Sequence, residues 1–471
     1  MSAVSPSFRI LPLVVAAALF MENMDGTIIA TSLPAIAADL GTTPVSLKLA
    51  FTTYLLALTI FLPVSGWVAD RFGARRVFRA AIVIFTAGSM ACGFAHSLGW
   101  LVAARFVQGL GGAMMVPVGR VILLRSIPKA DLVDAMAWLT IPALMGPLIG
   151  PPVGGFITTY FDWRWIFWMN LPFGLLALAL ATRFMPNHRE KNVPALDVKG
   201  FVLSGLGLAL SVFGLTVAGR GLVSGQTVAV MIVLGLIFVV LYIRHARVTP
   251  HPILDLKLLR VATYRISVMG GSLYRIGMGA IPFLLPLMLQ LGFGLTPFQS
   301  GLITCASAAG AILMKFTAGR VIRALGFRPL LIGNGVLSVA TIAVNGLFTP
   351  TTPFYVISGV LLLSGFFRSL QFTSLNAMAY SDIDNPAMSR ATALFTTAQQ
   401  LSLALGVAIA AYTLEGSLWA HGRHSLQVMD FSIAFFVVAT MAAGSVLAYF
   451  RLPADAGASV SGRVPEAGSG A

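Results

Sequence analysis

Charged residues are scarce in this sequence. Of its 471 residues only 10% are Asp, Glu, Lys or Arg, whereas 57% are hydrophobic, and the mean hydropathy is +0.88. A soluble domain carries about 25% charged residues, because its surface faces water. The shortage therefore excludes a soluble globular protein and indicates a chain that lies in a lipid bilayer.

Residues that commonly build metal, disulfide or catalytic sites are also few. The two cysteines, Cys92 and Cys305, lie in separate apolar segments and share no motif spacing, so neither a disulfide nor a metal site is expected. The six histidines do not cluster. Phosphate-binding, zinc-protease and dinucleotide motifs are absent from the sequence, which argues against an enzyme and predicts no cofactor.

Long apolar runs dominate what remains. They extend over roughly 20 residues without strand-like alternation, and lipid offers no partner for unpaired backbone groups, so they are predicted to be helices. The first run is too long for a signal peptide and is expected to be retained. The predicted fold is therefore an all-α polytopic membrane protein of about fourteen spans. The segments are 10–33, 46–68, 77–96, 100–122, 133–158, 163–185, 198–217, 226–243, 264–289, 298–319, 329–348, 354–378, 391–414 and 430–450.

Basic residues occupy alternate loops between these segments. They concentrate at 71–79, 120–129, 183–199, 244–260 and 320–328, whereas the other loops hold little more than Arg164, Arg220 and Arg423. By the positive-inside rule the first set is cytoplasmic, which places both termini in the cytoplasm. The net charge of +15 is thus explained by membrane orientation, and no nucleic-acid partner is expected.

Two of the basic loops share one spacing. Gly319, Arg323, Gly326 and Arg328 lie 253 residues after Gly66, Asp70, Gly73 and Arg75. Repeated halves are typical of secondary transporters. The spacing predicts a six-helix half at 1–190, two inserted helices at 191–260 and a second six-helix half at 261–452. Residues 453–471 are rich in Gly, Ser and Ala and are expected to form a disordered cytoplasmic tail.

Five segments carry a family resemblance. Gly66–Arg76, Arg105–Gly109 and Gly146–Gly155 resemble signatures of the major facilitator superfamily. Two more segments are similar to signatures of one branch of that family, the fourteen-helix drug:proton antiporters. They are Asp25–Ile29 with Leu33–Pro34, and Trp163–Pro172. The resemblance covers nearly the whole chain and implies two six-helix halves plus two extra helices.

The loop signature consists of Gly66, Asp70, Arg71, Gly73, Arg75 and Arg76. Its glycines are expected to let the chain turn tightly and approach a neighbouring helix. Asp70 is expected to latch a cytoplasmic gate by bridging to a helix end or an arginine. Alternatively the arginines, Arg76 above all, only anchor the topology.

The fifth segment is rich in glycine and proline between Gly146 and Gly155. Such a run allows close contact and bending between membrane helices. The family resemblance links it to exchange against protons, while a packing seam without a coupling role remains the alternative. Its residues are Gly146, Pro147, Gly150, Pro151, Gly154 and Gly155.

Ionisable side chains at membrane depth mark ion pathways or relays, because burying a charge in lipid is costly. Asp25 and Arg105 lie at similar predicted depth in segments 1 and 4, so they could pair. Burial disfavours a charged carboxylate whereas a neighbouring arginine favours it, which suits reversible protonation. Asp25 is thus predicted to couple transport to protons, with Glu22 auxiliary and Arg105 its charge partner. A static ion pair that holds the two helices together is the alternative.

Arg275 and Arg368 fall near mid-span in the second half, where they would favour an anionic or zwitterionic substrate. Helix C-termini or a carboxylate elsewhere could instead neutralise them. Polar residues at these levels could line a substrate cavity, although ordinary hydrogen bonding between helices is the more common role for any one of them. They are Tyr274, Gln371, Asn376, Gln399 and Gln400.

The leading hypothesis is a proton-driven exporter of small amphiphilic compounds in a bacterial inner membrane. Such a protein would act as a monomer, with protons, the small molecule and the lipid bilayer as its partners. The alternative cargo is an organic anion or another metabolite bound by Arg275 and Arg368. A membrane-embedded enzyme is disfavoured by the absence of catalytic motifs, and a passive channel or sensor is disfavoured by the repeat and the first-span acid.

Overall fold

Helices build the described part of the protein. The computed structural model describes residues 6–126, 132–186, 193, 195–217, 224–384, 387–423, 425–453 and 456–457, and these ranges contain no strand. Arg220, the basic loop residues 127–131 and 187–192, and most of the predicted tail at 453–471 lie outside the described residues. The all-α prediction is confirmed.

The fourteen predicted segments appear in order as helices. Thirteen helical segments of the described chain are long and apolar enough to cross a membrane, and the helix Leu132–Tyr160 stands where the fifth is expected. We number them as spans. Spans 1–7 are Leu11–Asp39, Pro44–Phe72, Ala74–Gly93, Leu98–Leu123, Leu132–Tyr160, Trp165–Phe184 and Val198–Val217. Spans 8–14 are Gly225–Val248, Ala262–Gly292, Pro297–Lys315, Phe327–Asn345, Phe354–Tyr380, Arg390–Ala420 and Val428–Tyr449.

Prolines and short irregular turns interrupt several spans. Span 1 runs as an α-helix to Ile28, tightens to a 3-10 turn at Ile29–Ser32 and resumes at Leu33–Asp39, with Pro34 in the new first turn. Proline lacks a backbone N–H and is tolerated at that position because no helical bond is lost. Span 9 contains Pro282 and Pro286 and ends in the π-helical turn Met288–Gly292.

Two compact units make up the chain. The first comprises Met1–Ala218, Leu222–Val239 and Thr296–Cys305, and the second comprises Gly219–Gly221, Val240–Leu295 and Ala306–Ala471. The start of span 10 thus packs with the first unit, and the end of span 8 with the second. The halves predicted at 1–190 and 261–452 remain a prediction in their exact limits.

The 253-residue repeat is visible in the backbone of each unit. Gly73, with φ +96°, separates the short helix Ser65–Phe72 from span 3. Gly326, with φ +73°, separates the short helix Ala318–Leu325 from span 11 in the same way. These left-handed values favour glycine, which has no Cβ. Both glycines are thus required by the turn that the loop signature makes.

Helix contacts repeat with the same spacing. In the first unit, a Cβ on Gly109 of span 4 would lie 2.7 Å from Ala57 Cβ of span 2. In the second unit, a Cβ on Gly310 of span 10 would lie 1.9 Å from the carbonyl oxygen of Leu362 in span 12. Gly310 and Leu362 stand 253 residues after Ala57 and Gly109. The two halves therefore pack equivalent helices at equivalent points.

Candidate functional site

Asp25 lies in the interior of span 1 and is fully buried. The structure brings it to Arg105, as predicted: Arg105 Nη1 lies 2.6 Å from Asp25 Oδ2. Both side chains are almost inaccessible to solvent. The pair joins spans 1 and 4 and is neutral when Asp25 is ionised, which is how a buried carboxylate can keep its charge.

Two amides complete the coordination of the carboxylate. Gln108 Nε2 and Asn170 Nδ2 donate to Asp25 Oδ1 at 2.8 and 3.0 Å. Asn170 Nδ2 also donates to Ser89 Oγ at 2.9 Å, and Ser89 Oγ donates to the carbonyl oxygen of Phe167 at 2.9 Å. One carboxylate thus ties span 1 to spans 4 and 6, and through Ser89 to span 3.

Arg105 is fixed by more than its carboxylate. Its guanidinium lies over the ring of Tyr54 at 4.3 Å, and Nη1 donates to Gln108 Oε1 at 2.6 Å. Cys92 Sγ lies 3.8 Å from the same Gln108 oxygen. Cation–π contact and charge-assisted hydrogen bonds are strong in a desolvated setting. The arginine is therefore held in one position beside the acid.

Glu22 has a different environment from Asp25. Its side chain is half-buried, and Oε2 is enclosed without a hydrogen-bond partner among the described residues. A Cβ on Gly112 would lie 3.6 Å from Glu22 Oε1 and 3.2 Å from the Tyr54 hydroxyl. Glu22 thus borders the site, although no hydrogen bond joins it to Asp25 among the described residues. Its auxiliary role stays a prediction.

The glycine-rich span 5 packs directly on span 1 around Asp25. A Cβ on Gly146 would lie 2.9 Å from the backbone nitrogen of Met24, and one on Gly150 would lie 2.3 Å from Thr27 Oγ1. A Cβ on Gly154 would meet the carbonyl oxygen of Ile28 at 2.5 Å. The three glycines, spaced by one helical turn, therefore form the seam against the helix that carries the acid. A role in exchange stays a proposal.

The remaining residues of the span 5 signature face elsewhere within the first unit. A Cβ on Gly155 would lie 2.3 Å from the carbonyl oxygen of Pro297, and one on Gly301 would lie 2.2 Å from that of Pro151. Pro147 is half-buried. Span 5 thus has a second close-packed side, against the start of span 10.

One expectation for the loop signature is wrong. Gly66 lies inside the helix Ser65–Phe72 with an ordinary φ, and a Cβ there would meet nothing within 4 Å. The tight turn needs only Gly73, because the helix ends at Phe72. Gly66 therefore neither turns the chain nor brings two helices together.

The charged residues of the loop have distinct settings. Asp70 is half-buried, whereas Arg71 and Arg76 are exposed. Arg75 is half-buried, and its Nη2 donates to the carbonyl oxygen of Thr182 in the last turn of span 6. Arg75 thus caps a helix end, which neither the gate nor the anchor hypothesis predicts. The gate role of Asp70 stays a prediction.

Arg275 is fully buried in the second unit without a carboxylate partner among the described residues. Its guanidinium lies 4.5 Å from the centre of the Phe395 ring, and Nη1 is 3.5 Å from the carbonyl oxygen of Ser267. Nε and Nη2 have no hydrogen-bond partner within the described chain. No carboxylate of the described residues therefore neutralises Arg275, and its role in binding a substrate stays a prediction.

Arg368 is half-buried and its Nη2 donates to Ser307 Oγ at 2.6 Å. The two arginines thus have separate partners. Gln371 accepts from Asn334 Nδ2 at 2.8 Å and donates to the carbonyl oxygen of Leu331 at 3.1 Å. Its hydrogen bonds hold spans 11 and 12 together, which is the packing alternative.

The other cavity candidates differ in exposure. Asn376 donates to the carbonyl oxygen of Phe372 in its own helix at 2.8 Å. Tyr274 is fully buried, and Gln399 and Gln400 are half-buried. Whether any of these side chains lines a substrate cavity stays a prediction.

Three members of the Asp25 network were absent from the predicted site. Gln108 and Asn170 stand inside family signatures, and Gln108 follows Arg105 by one helical turn, so both could have been found. Ser89 carries no such signal. Among the described residues no cluster of three or more His, Cys, Asp or Glu could hold a metal ion.

Comparisons with known proteins agree with this architecture. The model of the Major Facilitator Superfamily matches residues 15–244 and 267–467. The chain is 36% identical over 406 residues to the multidrug resistance protein named MdtD of Escherichia coli O139:H28, covering 85% of each chain. It is 35% identical over 450 residues to the protein of the same name of Klebsiella pneumoniae, covering 94% of each. The resemblance of the signatures to the major facilitator superfamily is confirmed.

Solved structures share the fold at low sequence identity. The D-xylose-proton symporter superposes with a TM-score of 0.67 at 17% identity, covering 96% of this chain and 99% of that one. The human organic anion transporter MFSD10 superposes with a TM-score of 0.64 at 15% identity, covering 95% and 100%. Family match, relatives and fold all agree: the chain belongs to the Major Facilitator Superfamily and is a multi-pass membrane transporter, not an enzyme.

Proposed function

We propose that this transporter is a proton-coupled exporter of small amphiphilic compounds that works by alternating access in a bacterial inner membrane, with both termini in the cytoplasm. It would need no cofactor beyond the proton gradient and would act as a monomer. The observation that carries the proposal is the buried Asp25–Arg105 pair, whose carboxylate also accepts from Gln108 and Asn170.

Protonation of Asp25 would change the energy of this network sharply. With Asp25 ionised, the pair is neutral and each carboxylate oxygen accepts at least one hydrogen bond. With Asp25 protonated, Arg105 keeps its charge in the helix interior without a counter-ion. A buried charge that loses its partner costs about 3–5 kcal/mol. A change of that size can shift the balance between conformational states, which coupling requires.

The seam between spans 1 and 5 gives the proposal a mechanical element. Gly146, Gly150 and Gly154 let the backbones of the two helices approach closely beside Asp25. Small movements of one helix are then transmitted to the other, because close-packed surfaces do not deform gradually. The relatives named multidrug resistance proteins support amphiphilic compounds as the cargo.

The direct test is transport into proteoliposomes driven by an imposed pH gradient, with Asp25→Asn compared to Asp39→Asn. Asp39 is the matched control because it lies in the same span with its side chain 43% exposed. We expect Asp25→Asn to lose uphill transport of amphiphilic dyes, and Asp39→Asn to retain it. Uphill, gradient-dependent transport by Asp25→Asn would contradict the assignment.

A second candidate function is export of an organic anion. The specific observation in its favour is Arg275, a buried cation without a carboxylate partner in the described chain. Transport of cationic dyes and of aromatic carboxylates separates the two candidates. Arg275→Ala should spare the dye and abolish carboxylate transport, while Arg76→Ala, which removes an exposed charge, should change neither.

A further inference from the structure

Spans 3 and 6 are joined at two levels. Near the start of span 3, Arg75 Nη2 donates to the carbonyl oxygen of Thr182. Deeper in the bundle, Ser89 of span 3 accepts from Asn170 at 2.9 Å and donates to the carbonyl oxygen of Phe167 at 2.9 Å. The two junctions fix the axial position of span 6 against span 3.

Arg75 is poorly placed for the stability of its own helix. It is the second residue of the helix Ala74–Gly93, where the helix dipole is positive and a cation is unfavourable. Thr182 lies in the last turn of the helix Asn170–Phe184, where carbonyl groups lack helical partners and a cation is favourable. The hydrogen bond to the end of span 6 therefore accounts for an arginine at this position, whereas the start of its own helix disfavours one.

The helix between the two junctions is short and continuous. It begins at Asn170 and ends at Phe184, so Thr182 and Asn170 are separated by about 18 Å at 1.5 Å per residue. Asn170 Nδ2 donates to Asp25 Oδ1 at 3.0 Å. An axial shift of span 6 by a few tenths of an ångström would weaken that bond, because hydrogen bonds are sensitive to distance and angle.

We propose that Arg75 is a positioning residue for the proton-coupling carboxylate: its bond to the end of span 6 sets the distance between Asn170 and Asp25. This inference rests on the proposed proton-coupled function. It connects the cytoplasmic loop signature to the buried acid through one helix.

Other groups around Asp25 act on it directly and separately from Arg75. The titratable groups among them are Arg105 of span 4, Tyr54 of span 2, Cys92 of span 3 and Glu22 of span 1 itself, whereas the described part of span 5 contributes glycine and proline and span 6 contributes the uncharged Asn170. All four stay unchanged in an Arg75 variant. Arg76→Gln removes the same charge at the same level and controls for any long-range electrostatic effect.

The second half supplies a matched control. Arg328, 253 residues after Arg75, donates to the carbonyl oxygen of Phe450 at the end of span 14 at 3.3 Å. The positions that match Asp25 and Ser89 are Met278 and Ile342. Arg328→Gln therefore breaks an equivalent cap in a half without the acid.

The experiment measures the pH at which transport in proteoliposomes is half-maximal, together with thermal stability. We expect Arg75→Gln and Asn170→Ala each to shift that pH by about 0.5–1 unit, the size of one lost hydrogen bond. Their double variant is expected to shift it no further, because both act through one bond. Arg76→Gln and Arg328→Gln are expected to leave it unchanged.

An unshifted Arg75→Gln, an additive double variant, or an equal shift in Arg76→Gln or Arg328→Gln would overturn the inference, because each result points to a structural or long-range effect. If Arg75→Gln does not fold, the additivity of Arg75→Lys with Asn170→Ala decides in its place. A wild-type protein without gradient-driven transport would reject the proposed function itself, whereas a coupled wild type with an unshifted Arg75→Gln rejects only this inference.

Discussion

The two halves of this transporter share a helical scaffold and differ in the side chains that they bury at matched positions. Loop glycines, helix contacts and capping arginines recur with one 253-residue spacing. Four residues of the buried network in the first half have apolar or small counterparts in the second. Asp25, Ser89, Arg105 and Gln108 correspond to Met278, Ile342, Ser358 and Leu361. Repetition therefore preserves the packing, while the network around Asp25 belongs to one half.

The second half has its own buried charge at another matched position. Arg275 stands 253 residues after Glu22, so an acid in one half corresponds to a base in the other. Arg105 is neutralised by Asp25, whereas no carboxylate within the described chain neutralises Arg275. Under the proposed function, the first half would handle protons and the second half would be free to read the charge of a substrate.

The largest expected effect is on stability, and it tests whether the buried Arg105 and Arg275 are equivalent. Arg105→Met should destabilise the protein by about 3–5 kcal/mol, because it leaves Asp25 buried without a counter-ion. Arg275→Met leaves no such partner behind and should be neutral or stabilising, since it removes an uncompensated charge. Denaturant unfolding in detergent measures both, and an equal loss in the two variants would contradict the asymmetry.

Glycine seams test whether packing is shared by the halves. A Cβ on Gly154 would lie 2.5 Å from the carbonyl oxygen of Ile28, and one on Gly365 would lie 1.8 Å from that of Ser307. Gly154→Ala and Gly365→Ala should each cost about 1–3 kcal/mol through overpacking. Gly359→Ala is the control, because a Cβ there meets nothing within 4 Å. Thermal unfolding of the purified variants ranks their stabilities. A loss of stability in Gly359→Ala as large as in the other two variants would refute the packing explanation.

Buried amides distinguish a structural from a coupling hydrogen bond. Gln371 bonds Asn334 in the second half, and Gln108 bonds Asp25 in the first. Gln371→Leu and Gln108→Leu should each lower stability by about 1–2 kcal/mol. Of these two variants only Gln108→Leu should shift the pH dependence of transport, because Gln108 bonds the Asp25 carboxylate and Gln371 does not. A shift in the Gln371 variant would mean that coupling extends into the second half.

The smallest effect is expected at exposed ion pairs. Arg164 Nη2 lies 2.8 Å from Asp39 Oδ2, whose side chain is 43% exposed. Such pairs contribute about 0–1 kcal/mol, so Arg164→Gln should barely change the melting temperature. In the second half Arg423 Nη2 lies 2.9 Å from Asp430 Oδ1, and that carboxylate is fully buried. Arg423→Gln should therefore cost more than Arg164→Gln, and the reverse order would show that burial does not govern these pairs.

The sequence could predict the spans, the repeat and the Asp25–Arg105 pair for a simple reason. Apolar runs must become helices in lipid, and an acid and a base at equal depth have few other partners. Hydrogen bonds between helices that are distant in the chain leave no comparable pattern in the sequence. Ser89 and Thr182 look like ordinary polar residues of a membrane helix until span 6 is packed beside span 3.

Sequence alone thus determined the class of protein, the number and order of the spans, the family signatures and the acid at their centre. Tertiary structure alone decided that Asn170 and Gln108 hold this acid, that Arg75 caps span 6, and that Arg275 has no carboxylate beside it in the described chain. The physical reason is that hydropathy and charge act along a segment, where they can be read from the order of residues. Pairing depends on which helix faces lie in contact, and packing of the whole half sets those contacts.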